Sequence, residues 1–208
     1  MSARRMPRLA ALLAGACAVA VVAVPALAQD APPRAADVIK RDFHARGIAT
    51  VDRLGQDAPA FVCTKFNDSP PPELAKQLEA DQMKTVRFPA DGKLMGDWKR
   101  GQQIAQSGRG MTWSDPPNIQ NGGSCYNCHQ LSAEELSFGT LGPSLHNFGK
   151  KRGYTEAMQK YTYAKIYNAK AYNLCTNMPR FGTSGTLTEQ QMRDLTAYLM
   201  DPASPVNK

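Results

Sequence analysis

The sequence has no internal repeat, no low-complexity segment and no cluster of basic residues with interleaved aromatic side chains. The first two absences argue against repeat architectures and disordered tails. The third argues against a nucleic-acid partner. What remains is a chain of 208 residues, 42% apolar and 21% charged, which predicts an ordinary globular protein: one medium domain, or a small domain with an extension.

The first 28 residues indicate a signal peptide. Three arginines precede an apolar run over 9–24, and Ala26-Leu27-Ala28 matches the small-x-small pattern of a signal-peptidase site. A membrane anchor is the alternative, but the run is shorter than the 18 or more residues that argue for a span, and Pro25 follows it. We therefore expect cleavage after Ala28, export to the periplasm and no membrane span in the mature protein.

Two further features bear on export and charge. Cys17 raises the possibility of a lipoprotein, but more apolar residues follow it, where a mature lipoprotein would turn polar. The pair Arg4-Arg5 is too bare a match to predict twin-arginine export. Removal of residues 1–28 takes away three arginines and no acids, so the formal charge falls from +7 to +4. This mildly basic charge suits an acidic protein surface better than nucleic acid.

Export places the four remaining cysteines in an oxidising compartment. Two of them lie in Cys125-Tyr126-Asn127-Cys128-His129, the C-x-x-C-H motif of c-type haem attachment. Two cysteines three residues apart lie on one side of a helical turn, where each sulfur can reach a vinyl group of the porphyrin. The histidine that follows can then swing under the iron. The motif predicts one covalently attached haem c, with His129 as an axial ligand.

Two other uses of a C-x-x-C pair fit less well. A thioredoxin-type dithiol needs a βαβ setting, but residues 121–124, ahead of the motif, have the composition of a loop. A zinc site needs four ligands, usually from two such pairs. Here Cys63 and Cys175 stand alone, and the chain has only three histidines.

A haem-ligating histidine needs an acceptor for its other ring N–H. Gly142-Pro143-Ser144-Leu145 follows the motif and resembles the G-P-x-L element of class I cytochromes c, in which the proline carbonyl accepts that hydrogen bond. The resemblance implies this role for Pro143.

Met178 is the predicted second axial ligand. Pro179 follows it, which favours an extended backbone and removes an amide donor, so the Met178 side chain is held off any helix and can point inward. His146 is the main rival. The other methionines that are possible on chemistry are Met95, Met111, Met158, Met192 and Met200.

Helical patterns indicate an all-α protein. We expect helices over 97–106, after a cap at Thr155, over 161–169, and over 188–200, where Thr188 and Gln191 form a capping box. These define a class I cytochrome c-type haem domain with a C-terminal tail, 97–208. An N-terminal extension, 29–96, has two expected helices, 36–46 and 73–84, and is too small for a convincing core of its own.

Cys63 and Cys175 form an even remainder of thiols in an oxidising compartment, where such a remainder usually pairs internally. The bond would tie the extension to the segment before Met178. A thiolate on a metal and a bridge to another chain are the alternatives.

Several segments closely resemble SoxX, the monohaem cytochrome subunit of the periplasmic SoxAX complex of thiosulfate oxidation. They are Gly123 to Gln130, Gly139 to Gly149, Asn173 to Gly182, and Leu187 to Asn207 with its Asp201-Pro202-Ala203-Ser204-Pro205-Val206-Asn207 ending. The C-x-x-C-H motif alone is common to c-type cytochromes, whereas the Cys-x-Asn-Met-Pro-Arg-Phe-Gly stretch and the tail are more specific.

The resemblance implies a heterodimer with a SoxA-type cytochrome. In that complex, an S-thiosulfotransferase, SoxA joins thiosulfate oxidatively to a cysteine of the carrier protein SoxY. SoxX passes the electrons to an external cytochrome c. This chain would then be an electron relay with no catalytic residues of its own, in keeping with a His–Met iron that has no open position. A free-standing mobile electron carrier and a haem-based sensor are the alternative functions.

Overall fold

A computed structural model describes residues 34–208. The predicted signal peptide, 1–28, lies outside the described residues. The helices are α1 (Ala35–Asp42), α2 (Ala58–Lys65), α3 (Pro72–Lys84), α4 (Trp98–Gln106), α5 (Phe148–Arg152), α6 (Glu156–Tyr167) and α7 (Glu189–Met200), with 3-10 turns at Val51–Leu54, Cys125–Asn127, Ala169–Ala171 and Pro205–Asn207. Between residues 34 and 208 there is no sheet, only an isolated bridge between Arg46 and Ala49. The predicted all-α class is confirmed.

The predicted caps at Thr155 and Thr188 are confirmed, and Asp97 is a further cap that was expected to lie inside its helix. The Asp97 carboxylate accepts the Lys99 N–H at 2.8 Å and starts α4, and Thr188 with Gln191 forms the capping box of α7. The prediction was wrong for the segment after Thr155, where one continuous helix, α6, replaces the two expected pieces. No proline or glycine lies between Glu156 and Tyr167 to interrupt the helix, and its second half is buried in the core.

Helices α4 and α7 cross in close contact and support the rest of the domain. Gly101 of α4 lies against the backbone of Asp194, and a Cβ at Gly101 would come within 2.8 Å of the Tyr198 Cβ. The Asp194 carboxylate, whose side chain is 3% exposed, accepts the Asp97 N–H at 2.8 Å and the Arg100 Nε–H at 3.0 Å. A buried carboxylate needs such partners, so these contacts fix the register of the crossing.

The N-terminal extension packs on the helical domain of its own chain. Helix α3 lies against the turn Ala169–Ala171, and Cys63 of α2 is joined to Cys175 by a disulfide, with the Cα atoms 5.4 Å apart. The predicted disulfide is confirmed. No helix within 34–208 is long and apolar enough to cross a membrane.

Candidate haem site

A largely enclosed apolar cavity lies between helices α4, α6 and α7. Its wall includes three side chains that can bind or attach a haem, Cys125, His129 and Met178. Most of the remaining wall is aliphatic or aromatic, including Ala105, Ile166, Phe181, Leu195, Tyr198 and Leu199. An apolar macrocycle suits such a wall, and the thiol, imidazole and thioether are the donors that c-type haem chemistry requires.

The C-x-x-C-H motif forms a short 3-10 turn, and the residues just before it are hydrogen-bonded to the end of α4. The Gly123 N–H donates to the Ile104 carbonyl at 2.8 Å, and Ser124 then takes a left-handed conformation with φ of 51°. The His129 backbone N–H donates a hydrogen bond to the Cys125 carbonyl at 2.9 Å. This local turn holds both thiols and the imidazole on a few consecutive residues.

The environment of Cys125 disfavours dithiol redox chemistry. Burial raises the pKa of the Cys125 thiol to about 12. Reactive C-x-x-C pairs instead have a cysteine whose pKa is lowered, because the thiolate is the nucleophile. Neither Cys125 nor Cys128 is in a disulfide. The pair therefore fits covalent haem attachment better than thiol–disulfide exchange.

The His129 ring is held by the loop that carries Pro143. Its Nδ1 lies 2.7 Å from the Pro143 carbonyl oxygen. A carbonyl can only accept a hydrogen bond, so Nδ1 carries the proton. Nε2 is then unprotonated, and its lone pair is free to bind a metal. The predicted role of Pro143 as the partner of the imidazole fits this geometry.

The loop approaches the motif so closely that only glycine fits at position 142. A Cβ there would lie 2.8 Å from Nε2 of His129 and nearer still to Cε1 and Nδ1. The Gly142 N–H also donates to the Cys128 carbonyl at 2.8 Å. From the sequence, the G-P-x-L element predicts a role for Pro143 alone. The steric role of Gly142 follows from the fold.

Among the candidates for the second ligand, Met178 is the one that reaches the cavity. His146 does not line it, and its Nε2 lies 2.8 Å from Asn147 Nδ2. Met192 and Met200 are buried in the core, 3% and 1% exposed. The remaining methionine candidates, Met95, Met111 and Met158, are also absent from the cavity wall.

Three polar residues of the extension contact the segment around Met178 and had no signal in the sequence. They are Asp57, Glu79 and Gln82. Such residue types are common on solvated helix faces, so only the fold shows where they meet.

Comparison with known proteins agrees with this geometry. The family model described as cytochrome c matches residues 98–201. The chain is also 35% identical over 137 residues to an "Uncharacterized lipoprotein" of Aquifex aeolicus (strain VF5), a match that covers 65% of this chain and 63% of that protein. The chain thus spans less than two thirds of the relative's length. The match to the family model covers half of the chain, and the chain belongs to the cytochrome c family, which implies a covalently bound haem and electron transfer.

Proposed function

We propose that this protein is an exported electron-relay cytochrome with one haem c on Cys125 and Cys128, ligated by His129 and Met178. The observation that carries the proposal is that Cys125, His129 and Met178 share one apolar cavity. When bound, the haem supplies one-electron oxidation and reduction. The chain's own residues attach it, orient the imidazole through Pro143, and surround it with an apolar wall.

Relay suits this cavity better than catalysis. A haem held by His129 and Met178 would have no free coordination position for a substrate. The cavity wall has no acidic side chain. Burial raises the pKa of Tyr198, so its hydroxyl stays protonated and cannot serve as a base at neutral pH. A thioether ligand in the cavity also counts against a sensor, which needs a weak or absent sixth ligand.

We propose further that the relay serves thiosulfate oxidation, as the SoxX-like segments imply. In balanced form, a carrier thiol R–SH and thiosulfate, S₂O₃²⁻, give the thiosulfonate R–S–S–SO₃⁻, one proton and two electrons. The new S–S bond forms on a SoxA-type partner, and the carrier is SoxY. This chain accepts the electrons one at a time and passes them to an external cytochrome c.

The test combines the purified holoprotein, thiosulfate and the carrier protein, with and without the partner cytochrome. Thiosulfate-dependent reduction of this haem is expected only when the partner is present. Turnover by this chain alone would overturn the relay and place a substrate site here. If this haem is reduced equally well without the partner cytochrome, the proposed heterodimer is wrong.

A free-standing mobile carrier is the second candidate, and one observation favours it. The extension packs on its own chain through α3 and the Cys63–Cys175 bond, so it does not by itself require a partner. Co-purification from cells distinguishes the two: a stable second cytochrome supports the complex, and a monomeric holoprotein supports the mobile carrier.

The form of the mature protein is testable by intact mass. We expect a chain that begins at Gln29 and carries one haem. The relative's name, a lipoprotein, raises lipid attachment at Cys17 as the alternative. A mass that fits a lipidated Cys17 would replace the free periplasmic form, and a chain without haem from maturation-competent cells would contradict haem attachment.

A further inference from the structure

The segment that carries Met178 has little backbone pairing of its own. We call residues 172–182 the methionine loop. From Asn177 to Phe181 no backbone N–H donates to a backbone carbonyl within the described residues, and pairing resumes where the Gly182 N–H meets the Tyr167 carbonyl at 3.0 Å. The Met178 N–H donates to the Thr176 hydroxyl at 3.2 Å. A loop with so few internal bonds depends on its surroundings for its position.

Helix α3 is one of the elements that hold the loop in position. The Glu79 carboxylate accepts the Leu174 N–H at 2.9 Å, four residues before Met178. Leu174 is 2% exposed, so water cannot easily replace this acceptor. The Leu174 carbonyl accepts from the Lys170 ammonium at 2.7 Å. Both backbone groups of Leu174 are therefore held by side chains.

The same helix also contacts one residue ahead of the loop and one residue within it. The Gln82 amide oxygen accepts from Asn168 Nδ2 at 3.1 Å and from the Arg180 guanidinium at 3.3 Å. Asn168 is fully buried and also donates to the Thr85 hydroxyl at 3.0 Å. One side chain of the extension thus ties Asn168, four residues before the loop, to Arg180, two positions after Met178.

Helix α2 holds the loop at two more points. Its N-terminal cap, Asp57, forms an ion pair with Arg180, and its Cys63 is bonded to Cys175. The loop is therefore fastened before and after Met178 by one helix and contacted along the same span by α3. These contacts come from residues outside the segment matched to the cytochrome c family, 98–201.

We propose that the N-terminal extension positions Met178 on the haem, with Glu79, Gln82 and Asp57 as positioning residues that keep the methionine loop closed. This rests on the proposed ligation of the iron by Met178. The extension acts on the stability of the iron–sulfur bond through the loop, since none of its described residues lines the cavity.

The experiment measures imidazole binding to the oxidised holoprotein, because imidazole must displace the methionine. The sulfur-to-iron charge-transfer band reports the same bond. Glu79→Ala leaves the buried Leu174 N–H without its acceptor, a loss of about 1–3 kcal/mol. At 1.4 kcal/mol per tenfold change, imidazole affinity should rise about 5- to 140-fold. Glu79→Gln keeps a carbonyl acceptor of the same reach and should restore affinity close to that of the unaltered protein.

A matched control removes a contact of the extension that lies away from the loop. Asp91 pairs with Arg193 of α7 at 2.9 Å, so Asp91→Asn should leave imidazole affinity unchanged. Asp57→Asn is the second loop variant, used also if Glu79→Ala does not fold, and should raise the affinity about 2- to 5-fold, as expected for a partly exposed ion pair. An equal rise in Asp91→Asn would mean general loosening and would overturn the proposal.

Failure of this inference is distinguishable from failure of the proposed ligation. If the unaltered protein has no charge-transfer band, or Met178→Ala keeps it, the ligation is wrong. If the band depends on Met178 but neither Glu79→Ala nor Asp57→Asn changes imidazole affinity, the ligation stands and the positioning role of the extension is wrong.

Discussion

Gly142→Ala tests how tightly the haem-binding histidine is held. A Cβ at position 142 would lie 2.8 Å from Nε2 of His129 and closer to two other ring atoms. Carbon contacts are favourable only from about 3.5 Å, so the ring or the loop must shift by about 0.7 Å to relieve the Nε2 contact alone, and by more to relieve the two shorter contacts. The loop cannot retreat freely, because the Gly142 N–H is bonded to the Cys128 carbonyl at 2.8 Å.

The shift also stretches the bond that orients the ring. The Nδ1 to Pro143 oxygen distance is 2.7 Å, and a displacement of this size takes it toward the limit of a useful hydrogen bond. Overpacking costs about 1–3 kcal/mol, and a lost hydrogen bond adds about 0.5–1.5 kcal/mol. We expect a total loss of about 2–4 kcal/mol in the free energy of unfolding.

The assays are thermal unfolding of the oxidised holoprotein and its reduction potential. At about 2–4 °C per kcal/mol for a chain of this size, Tm should fall by about 4–16 °C. The potential should rise, because the bond to Pro143 makes the imidazole a more basic ligand that favours the oxidised iron. Gly55→Ala is the matched control, since its Cβ would meet only the Asp52 carbonyl oxygen at 3.3 Å. If Gly142→Ala leaves Tm and potential unchanged, the ring is not held between Gly142 and Pro143.

Met178, the Cys63–Cys175 disulfide and Asp57 can each be tested separately. Met178→Ala should lose the sulfur-to-iron band and become high-spin or newly ligated, and a band lost instead in His146→Ala would show the assignment to be wrong. Peptide mapping without reductant should link Cys63 to Cys175, and replacing both with serine should cost about 2–4 kcal/mol; two free thiols would refute the bond. For Asp57, partial burial acts to raise the pKa, but hydrogen bonds from the Ala60 N–H and Arg180 outweigh it and lower the pKa. Its stabilising effect should be full above about pH 4, the unfolded value, and disappear as pH falls through the lower folded pKa. If loop closure responds to acid identically in the native protein and in Asp57→Asn, the predicted pH dependence from Asp57 is wrong.

Local sequence determined the haem attachment turn and the principal helices. The C-x-x-C-H spacing places two thiols and an imidazole on one turn whatever surrounds it. Thr188 with Gln191, and Asp97, start their helices through bonds only a few residues long. Pro179 likewise keeps Met178 off a helix by its own geometry. These features were predictable because the interactions that create them lie within a few residues of one another.

Other elements carried too little local signal. Helix α5 has only five residues, too few for a helical period to show. Helix α2 has apolar residues on all sides rather than on one face, so its sequence has no helical periodicity to recognise. Its beginning is marked only by Asp57, which serves both as the cap of α2 and as the partner of Arg180.

The tertiary structure alone decided which distant residues meet at the site. Glu79 and Leu174 are 95 residues apart in sequence, and Gln82 and Asn168 are 86 apart. No periodicity or spacing connects such pairs, because their contact depends on how α3 packs against the turn after α6. The sequence by itself determined the chemistry of the thiols, imidazole and thioether. The fold decided that Gly142 and Pro143 hold His129, and that the extension lies against the loop of Met178.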